Sequence, residues 1–107
     1  MAFRPLEGTI VLAVEHVMTG PYCSKLLADF GADVIKVESP GTGDVGRQIG
    51  PIAKGRNGEP RSVFFARANS NKRSVTLNLK SPEGKEILKS LIRKSDVFMV
   101  NQTPRSL

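Results

Sequence analysis

Tryptophan is absent, aromatic residues make up 6% of the 107 positions, and histidine and cysteine occur once each. A lone cysteine, Cys23, cannot close an internal disulfide, so a reducing, cytoplasmic compartment is expected. Without clustered His or Cys, no metal site is expected. No apolar run approaches the roughly 20 residues that cross a bilayer, so no membrane partner is expected. The opening MAFRPLEG carries one positive charge and no apolar segment ahead of a cleavage site, unlike a secretion signal.

What is present is ordinary for one small globular domain: 39% hydrophobic and 24% charged residues. The charge, however, is unevenly placed. Between positions 47 and 73 lie seven cations (Arg47, Lys54, Arg56, Arg61, Arg67, Lys72, Arg73) against Glu59 alone, so this stretch holds the whole net charge of +6. Such a segment suits a phosphate-bearing partner, or is simply a solvated loop. A nucleic-acid-binding module is one function it could serve. Against that, Phe64 and Phe65 sit together in an apolar run rather than interleaved with Lys and Arg as a stacking platform, so no nucleic-acid partner is expected.

The elements emerge from apolar pattern and punctuation. Thr9 to Val14 is β-branched and nearly all apolar, as in a strand buried on both faces of a parallel sheet. GPYCSKLLADFG reads as a helix, with Pro21 in its first turn and Gly31 as its stop. Ala32 to Glu38 is a second strand, and strand–helix–strand implies a right-handed crossover. Residues 39 to 61 hold six glycines and three prolines and read as a long irregular loop. Ser62 to Asn69 reads as a short helix and Arg73 to Leu79 as a strand. Ser81 then caps a helix with Pro82 at its first position, and Asp96 to Asn101 is a fourth strand. The fold class is α/β with a parallel sheet. Strands this apolar need helices on both faces, and the last has no covering element after it, so the chain is expected to be part of a larger domain.

Residues 41–46, GTGDVG, spell G-x-G-x-x-G. A dinucleotide site needs that loop to open directly into a helix whose amides meet the pyrophosphate. The segment after Gly46 is instead rich in Gly and Pro, so the hexapeptide is expected to be turn material, although Glu38 stands where a ribose-binding acid would.

Open parallel sheets bind ligands beyond their strand carboxyl ends. The candidate positions are therefore His16, Val17, Met18 and Thr19 after the first strand, and Ser39 after the second. Leu77, Asn78, Leu79 and Lys80 come after the third, and Asn101, Gln102 and Thr103 after the fourth. His16 is expected to position its turn by hydrogen bonding, with acid–base work as the other reading. Cys23 is expected to be a small buried residue. Asn71-Lys72-Arg73 is either a phosphate clamp or a solvated lead-in to the strand. Lys80, at a strand-to-helix junction, is the better-placed cation for phosphate.

PLEGTIVL, TGPYCSKLLADFGADVIKVESPGTGD, NSNKRSVTLNLKSPEGKEIL and KSDVFMVN closely resemble the amino-terminal region of class III coenzyme A transferases. That group includes formyl-CoA transferase, carnitine and bile-acid CoA-transferases, and α-methylacyl-CoA racemase. The resemblance runs from Pro5 to about Asn101. It implies a Rossmann-like parallel sheet forming the N-terminal portion of a larger CoA-binding domain, in an enzyme that works as an interlocked homodimer. It implies acyl-CoA and a carboxylic acid as substrates, no prosthetic group, and an aspartate nucleophile that attacks the thioester from beyond residue 107, so no catalytic residue is assigned within this chain. None of Asp29, Asp33, Asp44 or Asp96 matches that nucleophile's motif. The resemblance further implies that Met18 and Thr19 approach the thioester or pantetheine through backbone groups. Leu77 would lie near the adenine, Lys80 at phosphate, and Asn101 along the CoA chain. A racemase of the same family, moving the proton α to the thioester carbonyl, is the alternative activity. Three positions depart from the family: Ser39 stands where an arginine is frequent, Met18 occupies a site that varies with substrate, and the Glu-Asn-Phe-Arg-Pro-Gly segment reads Val100-Asn101-Gln102-Thr103-Pro104-Arg105.

Overall fold

The computed structural model describes residues 3–103. Four strands, β1 (Ile10–Val14), β2 (Asp33–Glu38), β5 (Lys72–Thr76) and β6 (Val97–Val100), form one sheet in the order β5-β2-β1-β6. Every pairing in it is parallel, with Val11 opposite Val34 on one side and Val97 on the other. Parallel neighbours require crossovers. α1 (Thr19–Asp29) supplies the first and α3 (Pro82–Arg93) the last.

Because strand side chains alternate, β1 sends Val11 and Ala13 to one face and Leu12 and Val14 to the other. The first pair packs with Val34, Ala28 of α1 and Ala32, and the second with Val37, Leu77 and the α3 residues Leu88, Leu91 and Ile92. Two apolar layers thus sandwich the sheet, as the near-continuous hydrophobicity of β1 requires. The outer edge is less complete: on β6, Val97 and Phe98 remain 40% and 44% exposed.

Local signals set the helices. Ser62 Oγ accepts the Phe65 N–H at 3.0 Å and starts α2 (Val63–Asn69), while Ser81 Oγ accepts the Gly84 N–H at 3.0 Å and starts α3. Two expectations change. The strand expected to run to Leu79 ends at Thr76, because its neighbour β2 ends at Glu38, whose carbonyl takes the Leu77 N–H as the last rung. The loop at 39–61 is also more ordered than its glycines suggest. It contains a 3₁₀ turn (Val45–Gln48) and a short hairpin of β3 (Ile52–Lys54) and β4 (Pro60–Ser62).

Candidate functional site

Four strand ends point the same way, so the segments leaving them meet. β1 runs into Glu15 and His16, and the fourth strand into Asn101. The Asn101 side chain accepts the His16 N–H at 2.9 Å through Oδ1 and donates Nδ2 to the His16 carbonyl at 3.0 Å. That approach needs Gly20: a Cβ there would lie 2.8 Å from Asn101 Cγ and 2.9 Å from Glu15 Cβ. Between the two, Val17 adopts φ 65°, a left-handed conformation that β-branched residues rarely enter. Its N–H donates to Asp44 Oδ1 at 3.0 Å.

Asp44 belongs to a buried charge network beneath α1 and α2. On the face that carries Val11 and Val34, the apolar positions give way toward the strand ends to Glu15, Lys36 and Glu38. The Lys36 ammonium stands 2.8 Å from Asp44 Oδ2, an ion pair without hydrogen-bond alignment, and 3.3 Å from Glu15 Oε2. Lys72 Nζ reaches the same Glu15 oxygen at 2.7 Å and the Pro21 carbonyl at 2.9 Å, and Ser24 Oγ donates to Glu15 Oε1. Glu38 takes Arg47 Nε and Nη2 at 2.8 and 2.7 Å, Ser74 Oγ at 2.6 Å and the Asp44 N–H at 2.9 Å. Phe65 of α2 lies under the Arg47 guanidinium, 4.0 Å from ring centroid to Cζ.

These contacts set the ionisation. Burial pushes Glu38 up, but Arg47, Ser74 and the Asp44 amide outweigh it and hold the carboxyl at about 2. Burial likewise opposes the charge on Asp44, and Lys36 with the Val17 and Gly46 amides overcomes it, leaving Asp44 below the usual carboxylate range. For Lys72, burial wins over the attraction of Glu15 and draws the ammonium below its ordinary value.

Above the network opens a cavity of about 820 Å³. His16, Ser39, Leu77, Asn78, Leu79, Lys80 and Gln102 line it, together with Val14, Val37 and the Gly43–Val45 turn. Val17, Met18, Thr19, Asn101 and Thr103 do not. Val17, through its N–H to the Asp44 carboxylate, and Asn101, through its carboxamide to the His16 backbone, act behind the wall, and Thr19 is the first residue of α1. Met18 faces a second, more apolar cavity of about 560 Å³, beside Tyr22, Phe64 and Arg67. Thr103 is exposed, and Pro104 and Arg105 lie outside the described residues. The Leu77–Lys80 wall is fixed by Gly84, whose α-carbon packs on it so closely that a Cβ would stand 1.9 Å from the Asn78 carbonyl oxygen. Lys80 is exposed at this wall, and among the described residues no carboxylate pairs with it.

Comparison with known proteins agrees with this fold. The family model described as CoA-transferase family III matches residues 6–107. The chain belongs to that family. A formyl-CoA:oxalate CoA-transferase of Rhodopseudomonas palustris (strain HaA2) is 50% identical over 102 residues, covering 94% of this chain and 23% of that protein. The protein of the same name from Afipia carboxidovorans is 48% identical over 101 residues, with the same coverage on both sides. Among solved structures, a CAIB/BAIF family protein from Brucella suis superposes with a TM-score of 0.85 at 38% identity, over 92% of this chain and 26% of its own. A hypothetical protein from Mycobacterium tuberculosis gives 0.82 at 33% identity, over 96% and 27%. This family III chain therefore spans about a quarter of the length of its relatives.

Within this family III segment, several expectations change. Cys23 is exposed rather than buried, because α1 turns its small residues Gly20, Pro21, Ser24 and Ala28 to the sheet and Cys23 away from it. Asn71-Lys72-Arg73 is a solvated lead-in at Asn71 and Arg73, which are exposed, but not at Lys72. Asn71 donates to Asp29, Lys72 is buried on Glu15, and Arg73 makes a two-point pair with Asp33. Four of the seven cations between 47 and 73 (Arg47, Arg61, Lys72, Arg73) are thus in internal ion pairs. GTGDVG is turn material, leading into a 3₁₀ turn rather than an α-helix, and Glu38 faces Arg47 instead of a ribose. Sequence reasoning misses Asp44 as the hub of that turn. Its signal is an acid inside a glycine-rich turn after a strand holding Lys36 and Glu38.

Proposed function

We propose that this chain is the amino-terminal, CoA-binding portion of a CoA-transferase that moves CoA between an acyl-CoA thioester and a carboxylic acid. The observation that carries the reading is the cavity at the four parallel strand ends, apolar on its Val14, Val37 and Leu77 side and cationic at Lys80. Val37 and Leu77 would receive the adenine, and Lys80, next to the capped start of α3, would meet phosphate, where a helix N-terminus also favours negative charge. His16, held in place by the Asn101 carboxamide, would direct the pantetheine arm. The carboxylate nucleophile would come from polypeptide outside residues 1–107. Support for this comes from the engagement of all four aspartates here: Asp29 with Lys25, Asp33 with Arg73, Asp44 with Lys36, and Asp96 with the Ile10 N–H.

The relatives' names make formyl-CoA and oxalate the first donor and acceptor to try. The same reading expects an interlocked homodimer in the cytoplasm and no prosthetic group. Retention on immobilised CoA, competed by 3′-phospho-ADP and not by AMP, is the expected result, with Lys80→Ala weakening it. Equal competition by AMP, or no retention, would refute the assignment.

A further inference from the structure

Two walls of the cavity come from different parts of the chain. One is the turn between β1 and α1, with Glu15 and His16. The other is the Gly43–Val45 turn after β2. A single side chain joins them. Asp44 Oδ1 accepts the Val17 N–H at 3.0 Å and the Gly46 N–H at 2.8 Å, while its other oxygen faces Lys36. Asp44 is 4% exposed, so this link is shielded from water.

The residue it holds is an outlier. Among the described residues two non-glycines have positive φ, Asn71 at 68° and Val17 at 65°. Asparagine tolerates that region, and valine does not. A β-branched residue stays there only where its surroundings over-determine it. Immediately before it, Asn101 grips both backbone groups of His16, and immediately after it the Met18 carbonyl takes the Tyr22 N–H at 2.7 Å to start α1. Those two contacts fix the neighbours of Val17, and among the described residues the hydrogen bond made by Val17 itself goes to Asp44.

We propose that Asp44 is a positioning residue, whose carboxylate keeps the turn after β1 in its left-handed form and thereby aligns the His16 wall with the Gly43–Val45 wall for the ligand. The identity of that ligand, CoA, rests on the function proposed above; the latch does not. Released from Asp44, Val17 relaxes toward negative φ, the His16 wall loses its tie to the Gly43–Val45 wall, and a ligand must restore the turn before binding. Glycine enters the left-handed region freely, so Val17→Gly removes the cost of restoring it.

The test pairs amide hydrogen exchange at Val17 with CoA titration of four proteins: unaltered, Asp44→Ala, Val17→Gly and the double variant. The Val17 amide should be protected in the unaltered protein and exposed in Asp44→Ala. CoA should bind about tenfold more weakly to Asp44→Ala than to the unaltered protein, and the double variant should bind nearly as well as Val17→Gly alone, the non-additivity expected of coupled sites. Thermal unfolding should show no matching recovery, because the glycine does not re-pair Lys36. A double variant as weak as Asp44→Ala, or Asp44→Ala binding normally, would overturn the proposal. So would an unprotected Val17 amide in the unaltered protein, a readout that stands even if Asp44→Ala does not fold. If the unaltered protein fails to bind CoA, the proposed function falls while the exchange data still judge the latch.

Discussion

Asn101 treats His16 as a neighbouring strand would. Its carboxamide donates to the His16 carbonyl at 3.0 Å and accepts from the His16 N–H at 2.9 Å, extending the β1–β6 pairing by one residue after the strands have ended. The side chain does this because a carboxamide carries a donor and an acceptor in one plane, as a peptide group does.

Asn101→Asp should therefore be worse than its size suggests. The carboxylate keeps the acceptor but turns a second oxygen onto the His16 carbonyl. The expected loss is about 1–3 kcal/mol in urea unfolding at neutral pH, partly regained at low pH where the acid can donate again. Equal stability of Asn101→Asp and the parent at pH 7 would contradict the pairing.

Gly84→Ala tests the wall formed by Leu77–Lys80. The added methyl would overlap the Asn78 backbone at 1.9 Å, and backbone cannot swing aside as a side chain can. A helix that ordinarily gains from alanine should here lose about 1–3 kcal/mol, the usual range for overpacking, with CoA retention falling as the wall shifts. A stabilised Gly84→Ala protein would show that α3 does not sit this close.

Glu38 sets an acid limit. Its carboxyl is held at about 2 against an ordinary 4.5, so it binds its proton more readily when unfolded. The contribution to stability is complete above the unfolded value and is lost as pH falls from about 4.5 to about 2, at most about 3 kcal/mol in all. Glu38→Gln should lower stability at pH 7 and flatten this part of the acid-unfolding curve. An unchanged slope would count against it.

Lys72 is the third point of the network around Glu15. Its Nζ is held by Glu15, the Pro21 carbonyl and Asn69 Oδ1, with the side chain 2% exposed. Lys72→Ala strips Glu15 of one cation and unties α1 from β5. A loss of about 3–5 kcal/mol is expected in chemical denaturation, as for any buried pair broken from one side. A loss below about 1 kcal/mol, the scale of an exposed pair, would place Lys72 in solvent.

Strands β1, β2 and β6 and helices α1, α2 and α3 were legible from the chain because each depends on near neighbours. Runs of β-branched residues, Pro21 and Pro82 near helix starts, and Ser62 and Ser81 as caps act within a few positions of themselves. The hairpin β3–β4 was not, since its three-residue strands lack alternation and are held by Gly55 on the Glu59 carbonyl and Val63 on the Pro51 carbonyl. The strand-end positions named from the sequence coincide in part with the lining of the cavity. Seven of the twelve named residues line the cavity, because parallel strands must deliver their ends to one edge.

Composition and local pattern alone determined an α/β chain with a parallel sheet whose strand ends share one edge. Which charges are surface and which are core was decided only by tertiary structure. Glu15 meets Lys36 across 21 positions and Lys72 across 57. No short-range preference encodes such distant pairings. Only when the strands pair do the carboxylates and ammonium groups leave water together, and a buried charge is tolerated only beside its opposite.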